Sequence, residues 1–116
     1  MTVERINPTK ARVVVEIDGT VVADTIAARV PDETGLPPRY YIPFDDVRSE
    51  LLTPTATSTH CPHKGDARYW TITVDGIEHR DVVWAYDAPI PASAAIAGLL
   101  SFYPDRTTIT VDDVGA

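Results

Sequence analysis

Apolar and β-branched residues come in short runs along this chain, broken by turn-forming dipeptides, which is the pattern of antiparallel hairpins rather than of helices. Arg12 to Ile17 and Thr20 to Thr25 are β-rich and flank Asp18-Gly19, a dipeptide suited to a type I′ turn, so a hairpin is predicted there. The same arrangement recurs at Arg68 to Val74, Asp75-Gly76 and Ile77 to Tyr86, with Trp70, Ile72 and Val74 on one strand face. Between the hairpins, Arg29-Val30 and Arg39 to Ile42 read as short strands, and Pro31, Pro37, Pro38 and Pro43 place them at edges and corners. Asp45 to Leu52 reads as a short helix whose acidic residues lie near the positive end of its dipole. After Pro89 and Pro91, Ala92 to Ala95 reads as a helical turn and Leu99 to Tyr103 as a strand. Pro104-Asp105-Arg106 is a predicted turn into a last strand, Thr107 to Val111. The pattern predicts one all-β domain over residues 1–116, with a core at 11–112 and one or two short helical turns.

Composition narrows the partners. A chain of 116 residues with 44% hydrophobic content suits a single modest core. Its 17 acidic and 10 basic residues give a net charge of -7, and the basic residues are scattered, so neither nucleic acid nor an anionic membrane surface is an expected partner. A single cysteine forms no internal disulfide and fits a reducing compartment, which makes the cytoplasm the expected location. The opening residues hold no apolar segment, and the longest apolar run, Ala94 to Leu100, contains Gly98 and is too short for a bilayer. Neither secretion nor anchoring is expected.

Candidate chemistry concentrates at Thr59 to Ala67, where the only cysteine, two of the three histidines and one of two lysines fall within five consecutive residues. Pro62 fixes φ and Gly65 permits positive φ, so the segment reads as a loop that holds its polar side chains in set directions. Cys61 is the nucleophile if catalysis is covalent, because a cation such as Lys64 or a flanking histidine lowers a thiol pKa from roughly 8.5. The structural alternative is a buried cysteine that packs as a small hydrophobe. Lys64 reads as an anchor for a carboxylate or phosphate, with Schiff-base chemistry or simple neutralisation of Asp66 as alternatives. His60 and His63 are the proton carriers of this reading, unless one of them caps the loop. No metal and no cofactor are expected: three ligands packed into four residues need a fourth from elsewhere, and His79 is the only spare histidine. Among the aromatics, Tyr41, Trp70, Trp84 and Phe102 read as core. Tyr40 and Tyr86, polar-tipped and next to turns, read as lining a ligand pocket together with Lys64, Gly65 and the neighbouring Trp84.

Several blocks resemble the domain of unknown function 427 family, also labelled nucleotidyltransferase-like. They are Pro38-Arg39-Tyr40-Tyr41-Ile42-Pro43 with Asp46-Val47, then Thr59 to Ala67, Val83-Trp84-Ala85-Tyr86, and Phe102-Tyr103-Pro104. They keep the family's order from the first hairpin to residue 111. His63 departs from it, because the family more often has an aromatic residue there. The resemblance implies a compact β-fold similar to the β-tent architecture of zinc-binding proteins, built here from antiparallel hairpins. Zinc-bearing β-tent proteins use two Cys-x-x-Cys knuckles, so a single cysteine excludes that site. The nucleotidyltransferase label finds no support in the residues: there is no Gly-rich phosphate loop, and Asp45-Asp46 and Asp112-Asp113 are adjacent pairs whose members face opposite ways on a strand.

These readings lead to an expected function. It is a small enzyme or ligand-processing domain acting on a small anionic molecule, with Lys64 holding the anion, Cys61 reacting and His60 or His63 moving protons. A non-catalytic module binding a small molecule or peptide is the alternative, and an interaction protein docking through its proline-rich edges is a third.

Overall fold

The computed structural model describes residues 3–9, 11–33, 38–62 and 64–113, and these residues form an all-β fold. Among the described residues nine strands run in chain order: β1 (Val3–Pro8), β2 (Ala11–Ile17), β3 (Thr20–Thr25), β4 (Arg29–Glu33), β5 (Leu52–Cys61), β6 (Gly65–Val74), β7 (Ile77–Ala85), β8 (Leu100–Phe102) and β9 (Thr108–Asp113). They make a pair β1-β4, a sheet β3-β2-β9 and a sheet β5-β6-β7-β8. Every strand pairing is antiparallel. Both predicted hairpins are present, and Asp18, Gly19, Asp75 and Gly76 all take the positive φ of a type I′ turn.

Tyr41-Ile42 joins the smaller units. Tyr41 exchanges both backbone hydrogen bonds with Arg29 (2.9 Å each), and Ile42 does the same with Leu100 (2.7 and 2.8 Å). The predicted strand Arg39 to Ile42 is thus reduced to these two bridging residues, whose backbone groups are all used in stitching β4 to β8. The predicted helix over Asp45 to Leu52 is corrected to two 3-10 turns, Phe44–Asp46 and Ser49–Leu51, followed at once by β5. The helical turn after Pro91 is present as a 3-10 segment, Pro91–Ile96.

Burial explains why the strands read as they do. Val13, Val15 and Ile17 of β2 meet Trp70, Ile72, Val74, Val83, Ala85, Leu100 and Phe102 in the main core, a period-2 set from each strand. The opposite parity of the larger sheet is covered too. Ala67, Tyr69, Trp84 and Tyr86 pack with Tyr41 and with Ile96 of the 3-10 segment, and Ile6 of β1 lies against them. The sequence pattern assigns only alternate aromatics to core, but β1 and Pro91–Ile96 cap the second face, so both parities are buried.

Candidate functional site

The stretch expected as a loop, Cys61 to Ala67, is mostly strand. β5 runs through Cys61, β6 begins at Gly65, and only 62–64 connect them. Lys64 donates its backbone N–H to Cys61 O (3.1 Å), closing a turn with Pro62 in the position its fixed φ favours. Gly65 has φ 118, and a Cβ there would meet Ala88 O and Pro89 Cα at 3.5 Å. Ile90 N donates to Lys64 O (2.8 Å), so the tip is pinned to 88–90.

This geometry separates the expected reactive group. His60 pairs with Asp66 across the ladder, Nδ1 to Oδ1 at 2.7 Å, with both side chains largely exposed. Cys61 points to the other face, as a strand neighbour must, and packs against the cluster of Tyr69, Trp84 and Ile96. His60 and Cys61 thus face apart, and the sulfur packs beside aromatic side chains. Lys64 is 5% exposed, so its side chain is packed against the protein. His63 lies outside the described residues. His79 pairs with Ile72, at the other end of β6 from the tip. Among the described residues, no group of three His, Cys, Asp or Glu side chains converges to hold a metal ion.

The expected pocket residues are also dispersed. Tyr86 and Trp84 are buried in the second core, where Trp84 donates its Nε1–H to the Tyr41 hydroxyl at 3.3 Å. Tyr40 is half-buried on the main-core side and borders a separate apolar hollow of about 270 Å³, with Phe102, Pro104 and Ile109.

A different group of side chains does converge, and two bulges cause it. Along β5, Thr55, Ala56 and Thr57 stand opposite Tyr69 alone, because pairing jumps from Pro54↔Trp70 to Ser58↔Arg68. Along β7, Arg80, Asp81 and Val82 stand opposite Thr71 alone, between Ile72↔His79 and Trp70↔Val83. Extra residues on both neighbours of β6 bend them and re-aim their side chains. Asp81 takes φ 53, which an aspartate tolerates better than most side chains. Its carboxylate then accepts hydrogen bonds from Thr55 Oγ1 on Oδ1 and from Thr57 Oγ1 on Oδ2, both at 2.6 Å. Those two donors, Thr55 first, hold the Asp81 carboxyl below the usual carboxylate range.

Beside this clamp, the Tyr69 hydroxyl lies 2.9 Å from Thr59 Oγ1 and 3.4 Å from the Tyr103 hydroxyl. Tyr103 stacks obliquely on Trp84, ring centroids 4.5 Å apart, and its carbonyl accepts from Thr107 Oγ1 (2.8 Å) and Arg106 N (3.2 Å). Burial, and then the Tyr69 hydroxyl, push the Tyr103 phenol up to about 12, so it keeps its proton throughout the physiological range. Together Thr57, Thr59, Tyr69, Asp81 and Tyr103, with the Asp105-Arg106 turn, border an open hollow of about 360 Å³. Of these, Thr57, Thr59, Asp81, Asp105 and Arg106 were not expected as ligand contacts from the sequence. The available signals were the period-2 threonines at 55, 57 and 59 and the charged pair Arg80-Asp81 interrupting an otherwise β-rich run.

Arg39 sits over the Trp84 ring at 5.6 Å, with Nη1 buried and lacking a hydrogen-bond partner. The cation–π contact is worth about 0.5–2 kcal/mol and an orphaned buried donor costs about 1–3, so the two nearly cancel. Arg39→Met should therefore shift unfolding free energy in denaturant by no more than about 1 kcal/mol. A loss above about 2 kcal/mol would show that the guanidinium is a structural tie.

Among the described residues, no helix is long and apolar enough to cross a membrane. No curated protein matches the chain. A family model described as Domain of unknown function (DUF427) matches residues 5–113, which takes in both bulges, the tip of the β5–β6 hairpin and the Tyr103 turn. The chain belongs to the DUF427 family.

Proposed function

We propose that this chain is a small-molecule binding module whose ligand sits in the hollow between β5, the Asp81 bulge and the Tyr103 turn. The observation that carries it is the Asp81 clamp. A left-handed non-glycine residue, a doubly bonded carboxylate and two facing bulges converge on one open hollow, and such local strain persists where its surroundings over-determine it, often at ligand sites. Hydroxyls already ordered by each other, at Thr59, Tyr69 and Tyr103, lower the ordering cost of binding. A catalytic reading centred on Cys61 has less support, because the sulfur packs among aromatics and His60 turns away from it. The cytoplasmic location expected from a single thiol belongs to this proposal.

A thermal-shift screen of small polar compounds tests it. A true ligand should raise Tm saturably without being converted. That shift should disappear in Thr57→Val/Thr59→Val, which removes two rim hydroxyls at nearly constant volume, and persist in Cys61→Ala. Hits insensitive to the threonine change but abolished by Cys61→Ala would return the function to the hairpin tip.

A further inference from the structure

The proposed site has a chemical character that narrows its ligand, and the narrowing rests on the binding role proposed above. We infer that the ligand is a neutral polyhydroxylated small molecule, a sugar or cyclitol ring held through adjacent hydroxyls.

The Asp81 carboxylate is the organising group. Thr55 and Thr57 each occupy one acceptor position, one per oxygen, and leave a second position on each oxygen for an incoming donor. Two acceptors on one fixed carboxylate face two neighbouring O–H groups of a ring, the arrangement of a vicinal diol. Around it stand the hydroxyls of Thr59, Tyr69 and Tyr103, which can donate or accept, and that of Thr57, whose proton is spent on Asp81 and which is left to accept. The half-buried Tyr103 adds ring surface beside those hydroxyls, which suits the C–H face of a sugar. The hollow is open, about 360 Å³, and has room for a single ring lying against its wall.

Charge argues against the other small-ligand classes. A free anion entering the hollow would meet Asp81 and Asp105, whose charges Arg106 in the lining and the nearby Arg80 do no more than balance. An ammonium drawn to Asp81 would meet Arg80 and Arg106, both near enough to act on that carboxylate. Neutral hydroxyls escape both penalties.

Isothermal titration of the full chain with myo-inositol, D-ribose, sodium phosphate and n-butylamine decides the matter. The expected result is saturable binding of myo-inositol or ribose with millimolar Kd, weakened at least tenfold in Asp81→Asn and in Thr59→Val, each checked for a wild-type circular dichroism spectrum. Phosphate or butylamine binding that depends on Asp81, without polyol binding, would overturn the ligand class and leave the binding role standing. Saturable binding by none of the four would overturn both.

Discussion

Trp84→Ala should lower stability by about 3–5 kcal/mol, the cost of emptying a packed aromatic site. Trp84 is 6% exposed and stands at the centre of the second core. Its ring is edge-on to Tyr41 at 6.4 Å, tilted on Tyr103 at 4.5 Å, and lies beneath Arg39. Its indole N–H is spent on the Tyr41 hydroxyl. The substitution removes all of these and leaves the Tyr103 side chain without its backing. For a domain of this size about 1 kcal/mol corresponds to roughly 4 °C, so Tm should fall by about 12–20 °C in a thermal scan. Trp84→Phe keeps the ring and gives up the N–H donor, and should cost about 1–2 kcal/mol. A Tm for Trp84→Ala within a few degrees of wild type would mean that the face beneath β1 and Pro91–Ile96 is not a packed core.

Asp81→Ala should cost about 2–3 kcal/mol, a large effect for a half-exposed residue in a strand. Two terms add: alanine in the left-handed region costs about 1 kcal/mol, and the Thr55 and Thr57 hydroxyls lose their charged acceptor. Asp81→Gly loses both hydroxyl contacts but relaxes the backbone, so it should be milder than alanine; if glycine is equally or more damaging, the backbone at 81 is not strained. Asp81→Asn tolerates the same φ and should cost about 1 kcal/mol at neutral pH. The pH dependence follows from the lowered carboxyl pKa. The folded state binds this proton less readily than the unfolded chain, so the contribution is fully present above the unfolded value, 3.8 for an unperturbed aspartate, and is lost as pH falls through the folded value. Urea titrations should show the gap between wild type and Asp81→Asn closing only in strong acid. A gap independent of pH down to about 2 would mean that the carboxylate charge is not what the threonines hold.

What was legible in the sequence was what short-range backbone chemistry decides. Asp18-Gly19 and Asp75-Gly76 announced their hairpins because the dipeptide itself supplies two residues able to take positive φ. Gly65 was recognised as a positive-φ position for the same reason. β5 was missed because an edge strand with solvent on both faces needs no hydrophobic alternation, and Thr53 to Thr59 shows none. The same gap made Thr59 to Ala67 look like a loop, when its ends are ladder residues. In the ladder, strand geometry turns His60 and Cys61 to opposite faces. The hollow itself could not be read locally. Thr55 and Asp81 are 26 residues apart and meet only because bulges on both sides of β6 face each other, a coincidence of register that neither strand records by itself.

Amide chemical-shift mapping of a saturating ligand from the thermal-shift screen locates the functional centre most directly. If the hollow is the site, the shifts should concentrate at Thr57, Thr59, Tyr69, Asp81, Tyr103 and Arg106, leaving His60 to Gly65 and the Tyr40 side of the molecule unmoved. Shifts centred on Cys61 to Gly65, with the Asp81 bulge silent, would contradict this assignment and restore the hairpin tip as the place where the chain acts.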